Sequence, residues 1–263
     1  LTAAAQTFDN TGASITTTGN VAVTLWTGGT ANIAGDINAA QVDIVGNEIA
    51  NPDGDVNVVA GTMTSDALNA TSDTFSQTGG IVTIANTATL TQTTSAAFAA
   101  NFSADTLAVD APTVNINTGA SVDAATSFAP TNVTDFNMND GSFTSASADM
   151  TGVTNTHIAG GNFDVTAVDL TGTNLAVSGG VLEADNIDLT QPSSINHTDG
   201  IIRVDTGTLT TANGDLDVND ATGNPTIELT SGATTTVGSV NVGTASNGTV
   251  NILSGSTLDA ATA

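Results

Sequence analysis

Asp149, Asp169 and Asp188 follow one another at steps of 20 and 19 residues, each set between two apolar neighbours as in Val168-Asp169-Leu170. In an extended segment the apolar pair points to one side and the acid to the other. The three carboxylates therefore form an outward column, with Asp43 and Asp110 in related positions. Charges stacked ~4.8 Å apart repel one another. Such a column is sustained by solvation, by raised pKa values, or by Ca²⁺, a hard ion that selects carboxylate and carbonyl oxygens. Asp149, Asp169 and Asp188 are the Ca²⁺ candidates, and Asp215, Asp217 and Asp220 form a second cluster in a turn. The Gly-Gly-x-Gly-x-Asp nonapeptide of Ca²⁺-binding β-helix repeats is absent. Gly160-Gly161-Asn162-Phe163 and Gly179-Gly180-Val181-Leu182 lack its third glycine and its aspartate.

His157 and His197 lie 40 residues apart, which predicts near neighbours on one face, two coils apart. With no third ligand in spacing they read as solvated histidines rather than a metal pair. Arg203 is the only basic residue of the Lys/Arg type. The repeat places it above Glu183, with Asp164 below, in a solvated column whose ion pair contributes at most ~1 kcal/mol. Lyase chemistry on an anionic sugar needs more basic groups than one arginine. Glycoside hydrolysis needs two carboxylates at a set separation, and 26 acids offer many pairs while selecting none. No P-loop, GxGxxG or Ser/His/Asp spacing is present, so the chain is expected to be non-catalytic and to require no cofactor. The Thr151, Thr171, Thr190 and Thr210 column raises ice binding. The outward pair is Asp-x-Thr rather than two threonines per coil, so β-propensity and hydroxyl ladders account for it.

The apolar residues that must hold these columns in place recur with the same period. Gly141-Ser-Phe143, Gly161-Asn-Phe163, Gly180-Val-Leu182 and Gly200-Ile-Ile202 open four phrases, and Met150, Leu170, Leu189 and Leu209 follow the large residue by 7. The register extends back through Val122, Phe102, Val82 and Met63. Two places before each stands Gly or Ala, from Gly61 and Gly80 through Ala100 and Ala120 to Gly200. Such a column marks a corner with no room for a side chain, or one that needs positive φ. Alternating pairs such as Val114-x-Ile116 and Leu175-x-Val177 add a third strand to each coil.

A fixed period near 20 in short β-type segments predicts an all-β, single-stranded parallel β-helix in which stacking buries what no coil buries alone. About 11 to 13 coils, ~4.8 Å apart, predict a body roughly 55–60 Å long. One continuous solenoid over 1–263 is expected, with an irregular start at 1–34, regular coils over 35–210 and looser ones over 211–263. Pro52 and Asp53-Gly54 mark a protruding turn within 46–56, and 219–225 is an insertion. TIELTSGA at 226–233 and TVNILSGS at 249–256 are one phrase in variant form. A start at Leu1, with no basic leader, predicts a segment of a longer chain.

The net charge of −25 repels phosphate backbones and anionic headgroups, which excludes nucleic acid and lipid surfaces as partners. Hydrophobic residues make up 39% of the chain, enough to fill a narrow core and to set it apart from an acidic disordered tail. Cysteine is absent. No run approaches the ~20 apolar residues of a membrane-spanning helix.

Coils of the form Gly-x-Φ … Asp-Leu-Thr, closing on Gly248-Thr-Val-Asn-Ile252 and Ser254-Gly-Ser-Thr-Leu258, resemble the parallel β-helix stalks of bacterial surface proteins. Autotransporter passenger domains and filamentous-haemagglutinin-type adhesins are the nearest in style. The poverty in Lys and Cys also resembles surface-layer proteins. The resemblance covers roughly residues 35–260 and carries no site residues. It implies a right-handed solenoid, secreted or held at the cell surface, that acts as a stalk, filament or surface layer. It also implies self-association end to end or laterally. The alternative is an adhesin that binds a receptor or glycan through its protruding loops, with a polysaccharide-degrading enzyme third. Asn69, Asn101, Asn132, Asn196 and Asn247 stand in Asn-x-Ser/Thr triplets open to glycosylation in a host that performs it.

Overall fold

The computed structural model describes residues 1–46, 54–171, 173–189, 194–210, 215–217, 223–230, 232–237, 239–241 and 248–260. Among them there is no helix. The fold is a β-solenoid of about 11 turns, its coils stacked in parallel about 20 residues apart. Leu1–Val133 and Thr134–Ala263 make two compact units.

In the first unit, stacking begins at the opening residues, with Thr2 paired to Ala22 and Phe8 to Ala31. Three walls follow from the inward alternation of each strand. Ile15, Ile37, Met63, Val82, Phe102 and Val122 stack in one column. Val56, Phe75, Ala96 and Val114 stack in the second, and Val42, Leu68, Ala88, Leu107 and Phe128 in the third. From Ile37 onward every one of these side chains is buried. Phe75, Phe98 and Phe102 meet across the interior with centroids 5.1–6.2 Å apart, within the range of favourable edge and tilted ring pairs.

The second unit is built the same way. Phe163 stacks on Leu182, then Ile202, Ile227 and Val250. The Phe143 ring lies 5.0 Å from that of Phe163 and nearly parallel to it, and Phe136 closes edge-on at 5.8 Å. Thr226–Leu229 pairs with Thr249–Ile252 residue for residue, as their shared phrase predicts.

The glycine corner has both properties that the sequence suggests. Gly180 has φ +69°, and a Cβ there would fall 2.6 Å from the carbonyl carbon of Gly160 and 2.6 Å from the Gly161 oxygen. The column is not one conformation, however. Ala100 and Ala120 stay at negative φ, and in the Asp140-Gly141 coil the positive φ moves one place earlier, to Asp140 at 104°.

Two register expectations are overturned in the second unit. Leu209 pairs with Ile187 rather than standing above Leu189, and Thr210 therefore stacks on Asp188, not in the threonine column. The coil spends extra residues at Asp205–Gly207 before the strand resumes, and the repeat cannot reveal where within a step such residues fall. The two histidines are also not neighbours on one face. His157 stacks on Ala176 and Ala176 on Asn196, because the two steps are 19 and 20. One residue of offset reverses the face, so His197 points inward and is buried, while His157 points out and bonds the Ser178 hydroxyl at 2.7 Å.

Candidate functional site

The outward column lines a shallow groove of about 400 Å³ on the second unit. Asp149, Asp169 and Asp188 all border it, joined by Asn186, Thr208 and Thr210. Val168 and Ile187 are buried beneath, so the alternation that sends the carboxylates outward is the one expected of Φ-Asp-Φ. Asp169 and Asp188 are direct register partners.

Two of the groove's carboxylates, Asp149 and Asp169, serve their own backbone. Asp149 Oδ1 accepts the Thr151 N–H at 3.1 Å and the Thr151 hydroxyl at 2.6 Å. Asp169 Oδ1 accepts the Thr171 N–H at 2.9 Å. The same Asp-x-Thr bond occurs at Asp9, where the Thr11 hydroxyl and then its N–H hold the carboxyl below its ordinary value. The Asp-Φ-Thr phrase is thus an Asx-type turn that bends the chain from one wall to the next. Among the described residues, no group of three or more His, Asp or Glu side chains lies close enough together to hold a metal ion.

Elsewhere carboxylates are met by neutral donors, commonly from a neighbouring coil. Asp43 accepts from Gln41 at 2.6 Å and from Asn69 at 2.7 Å, and Asp110 accepts from Asn132 at 3.0 Å. Asp135 takes Asn155 at 2.8 Å and Asp185 takes the Thr206 hydroxyl at 2.7 Å. Asp73 accepts both the Thr93 and Thr94 hydroxyls, which lower its pKa in that order. A nearly cation-free chain therefore steadies its acids with hydroxyl and amide dipoles. Sequence reasoning did not weigh that solution, although the Thr and Asn content supplies it.

Arg203 stands over Glu183 as the repeat predicts, at 2.8 Å, with Asp164 one coil below. It also bonds Glu228 from the following coil at 2.6 Å. That second partner was missed because the step to the next coil lengthens to 25 here. Burial, then a hydrogen bond shared with Asp205, push the Glu183 carboxyl above its ordinary value despite the guanidinium beside it. The bond to Glu228 leads in raising the arginine's own pKa. All three side chains are less than a third exposed, so the sandwich is worth more than an open surface pair. Arg203→Ala is expected to cost about 1–2 kcal/mol, by leaving Glu183, Asp205 and Glu228 as unscreened neighbours. The gap from wild type should close in acid, as the raised Glu183 carboxyl takes up a proton and no longer needs the guanidinium. A gap in urea midpoints that does not depend on pH would refute this origin.

Asn101, Asn132 and Asn196 are exposed, and Asn69 is half-buried against Asp43. Asp215 and Asp217 lie on the strand Asp215–Asp217. Thr190, Asp220, Asn247, Pro52 and most of the two protruding loops lie outside the described residues. In comparison with known proteins, no family model, no curated protein and no solved structure matches the chain.

Proposed function

We propose that the chain is a non-catalytic structural protein of the cell surface or extracellular space, serving as a rigid stalk, filament or surface-layer element. The observation that carries this reading is the inward register of each unit, in which large apolar residues stack coil upon coil even where bulges shift the outer register. Backbone ladders of this kind resist bending along their axis. Asp149 and Asp169 in the groove are engaged as turn formers, which suits a load-carrying wall better than a reactive cleft. An anionic, lysine-free coat also resists trypsin-like cleavage and nonspecific association.

Negative-stain microscopy of the whole chain, with and without a calcium chelator, tests the reading. Elongated particles or end-to-end filaments are expected in both conditions. Filaments lost on chelation would assign Ca²⁺ a structural role in the Asp149, Asp169 and Asp188 column. Compact, dispersed particles in both would overturn the filament reading, and a glycan-binding screen would then decide for the adhesin.

A further inference from the structure

We infer that His197 is an acid-sensitive joint: protonation of its inward-facing ring opens the coil that contains Ser194–Val204. This holds whether or not the chain works as a filament. His197 is 4% exposed and stands in register above two aliphatic residues, Val177 and Ile158. Its Nε2 lies 3.1 Å from the Gly200 carbonyl, which makes that nitrogen the N–H donor and leaves Nδ1 as the acceptor. Nδ1 is buried and has no partner among the described residues. A neutral ring tolerates this. A protonated ring would carry a second N–H with nothing to accept it, and a charge among aliphatic side chains.

The strand beside the ring is locally weak. Val177 pairs with His197 but Ser178 pairs with Asp199, so Thr198 is an extra residue. Bulges of this kind interrupt the ladder and lower the cost of opening. Among the described residues, Asp199 on the same strand is the charged group that acts on the ring. Its Oδ1 already accepts from the Gly200 and Asn224 N–H groups, at 2.8 and 3.3 Å. The coil below offers Val177 and Ser178, with His157 facing outward on the far side of the Ser178 hydroxyl. From the coil above, Gly223 and Asn224 bring no charge, but the strand Asp215–Asp217 packs against Ser194–Val204 and carries two aspartates. Glu228 on the paired strand is engaged by Arg203.

Burial depresses the His197 pKa below 6.5, and the Gly200 bond and the Asp199 charge recover only part of the loss. The opened coil therefore binds a proton before the closed one does. Stability is complete above the ordinary histidine value and is lost as pH falls through it toward the depressed one.

Amide hydrogen exchange of the whole chain between pH 7 and pH 5, with protection corrected for the intrinsic rate, reads the joint directly. Protection over 194–204 should fall by up to about 25-fold in wild type, while Thr62–Gln77 in the first unit stays level. His197→Val continues the aliphatic column and should abolish the fall, and His157→Asn should leave it unchanged. An unchanged wild-type protection, or an equal fall in His197→Val, would overturn the inference. If His197→Val does not fold, the wild-type imidazole resonance decides. Titration well below 6.5 supports the joint, and titration at or above it refutes it.

Discussion

Phe163→Ala is expected to lower the stability of the second unit by about 3–5 kcal/mol, the range for emptying a ring-sized space in a packed core. Phe163 is 1% exposed. Its ring is stacked against Phe143 at 5.0 Å and edge-on to Phe136 at 5.8 Å, with Leu182 as its register partner above. In a globular core, neighbours from several directions move in to fill a void. Here the neighbours are fixed by ladders at one coil spacing, and they cannot approach without breaking backbone bonds. Each coil also draws its stability from the two it touches, so a void in one weakens both contacts. Phe163→Leu should be much milder, about 1 kcal/mol, because the column already passes to Leu182 and Ile202. Urea unfolding followed by a probe in the second unit gives both values. A Phe163→Ala midpoint shift worth less than about 1 kcal/mol would mean that the stacked rings are not what holds these coils together.

The contrast between these columns and the outer surface explains what the sequence could disclose. An inward position admits only large apolar residues, so Met63, Val82, Phe102 and Val122 repeat visibly and predict their own stacking. The glycine corner is legible for the same reason, since backbone proximity leaves one or two residue types. Outward positions accept Thr, Asn, Asp or Ser alike, and their register is inherited from the core only up to the next corner. A coil that adds residues at a turn keeps its interior period approximately and slips its exterior. Thr210 thereby came to rest on Asp188, whereas one step of 19 in place of 20 turned His197 inward. Glu228 was hidden by an insertion that no period could cross. The Asp column was legible as a column, but its role was not. A row of acids reads the same whether it holds an ion or its own turn, and only the Thr151 and Thr171 bonds distinguish the two.

Gly180→Ala should lower stability by about 3 kcal/mol or more. Two separate costs combine. At φ +69° any L side chain adopts the left-handed region, which costs about 1–2 kcal/mol. The new methyl would also fall 2.6 Å from the Gly160 carbonyl carbon, 2.6 Å from the Gly161 oxygen and 2.9 Å from the Gly160 Cα. Those are backbone atoms of the coil below, which no rotamer change can move aside. Gly119→Ala separates the two contributions. Gly119 has φ +83° but nothing within 4 Å of the added Cβ, so it should show the conformational cost alone, about 1–2 kcal/mol. The difference between the two variants in urea unfolding is then the clash itself. If both lose the same stability, the corner glycines are conserving only a backbone angle, and the close approach of successive coils at Gly160, Gly161 and Gly180 does not constrain the stack. If Gly180→Ala loses much more, the spacing between coils is fixed at the corners as firmly as along the walls.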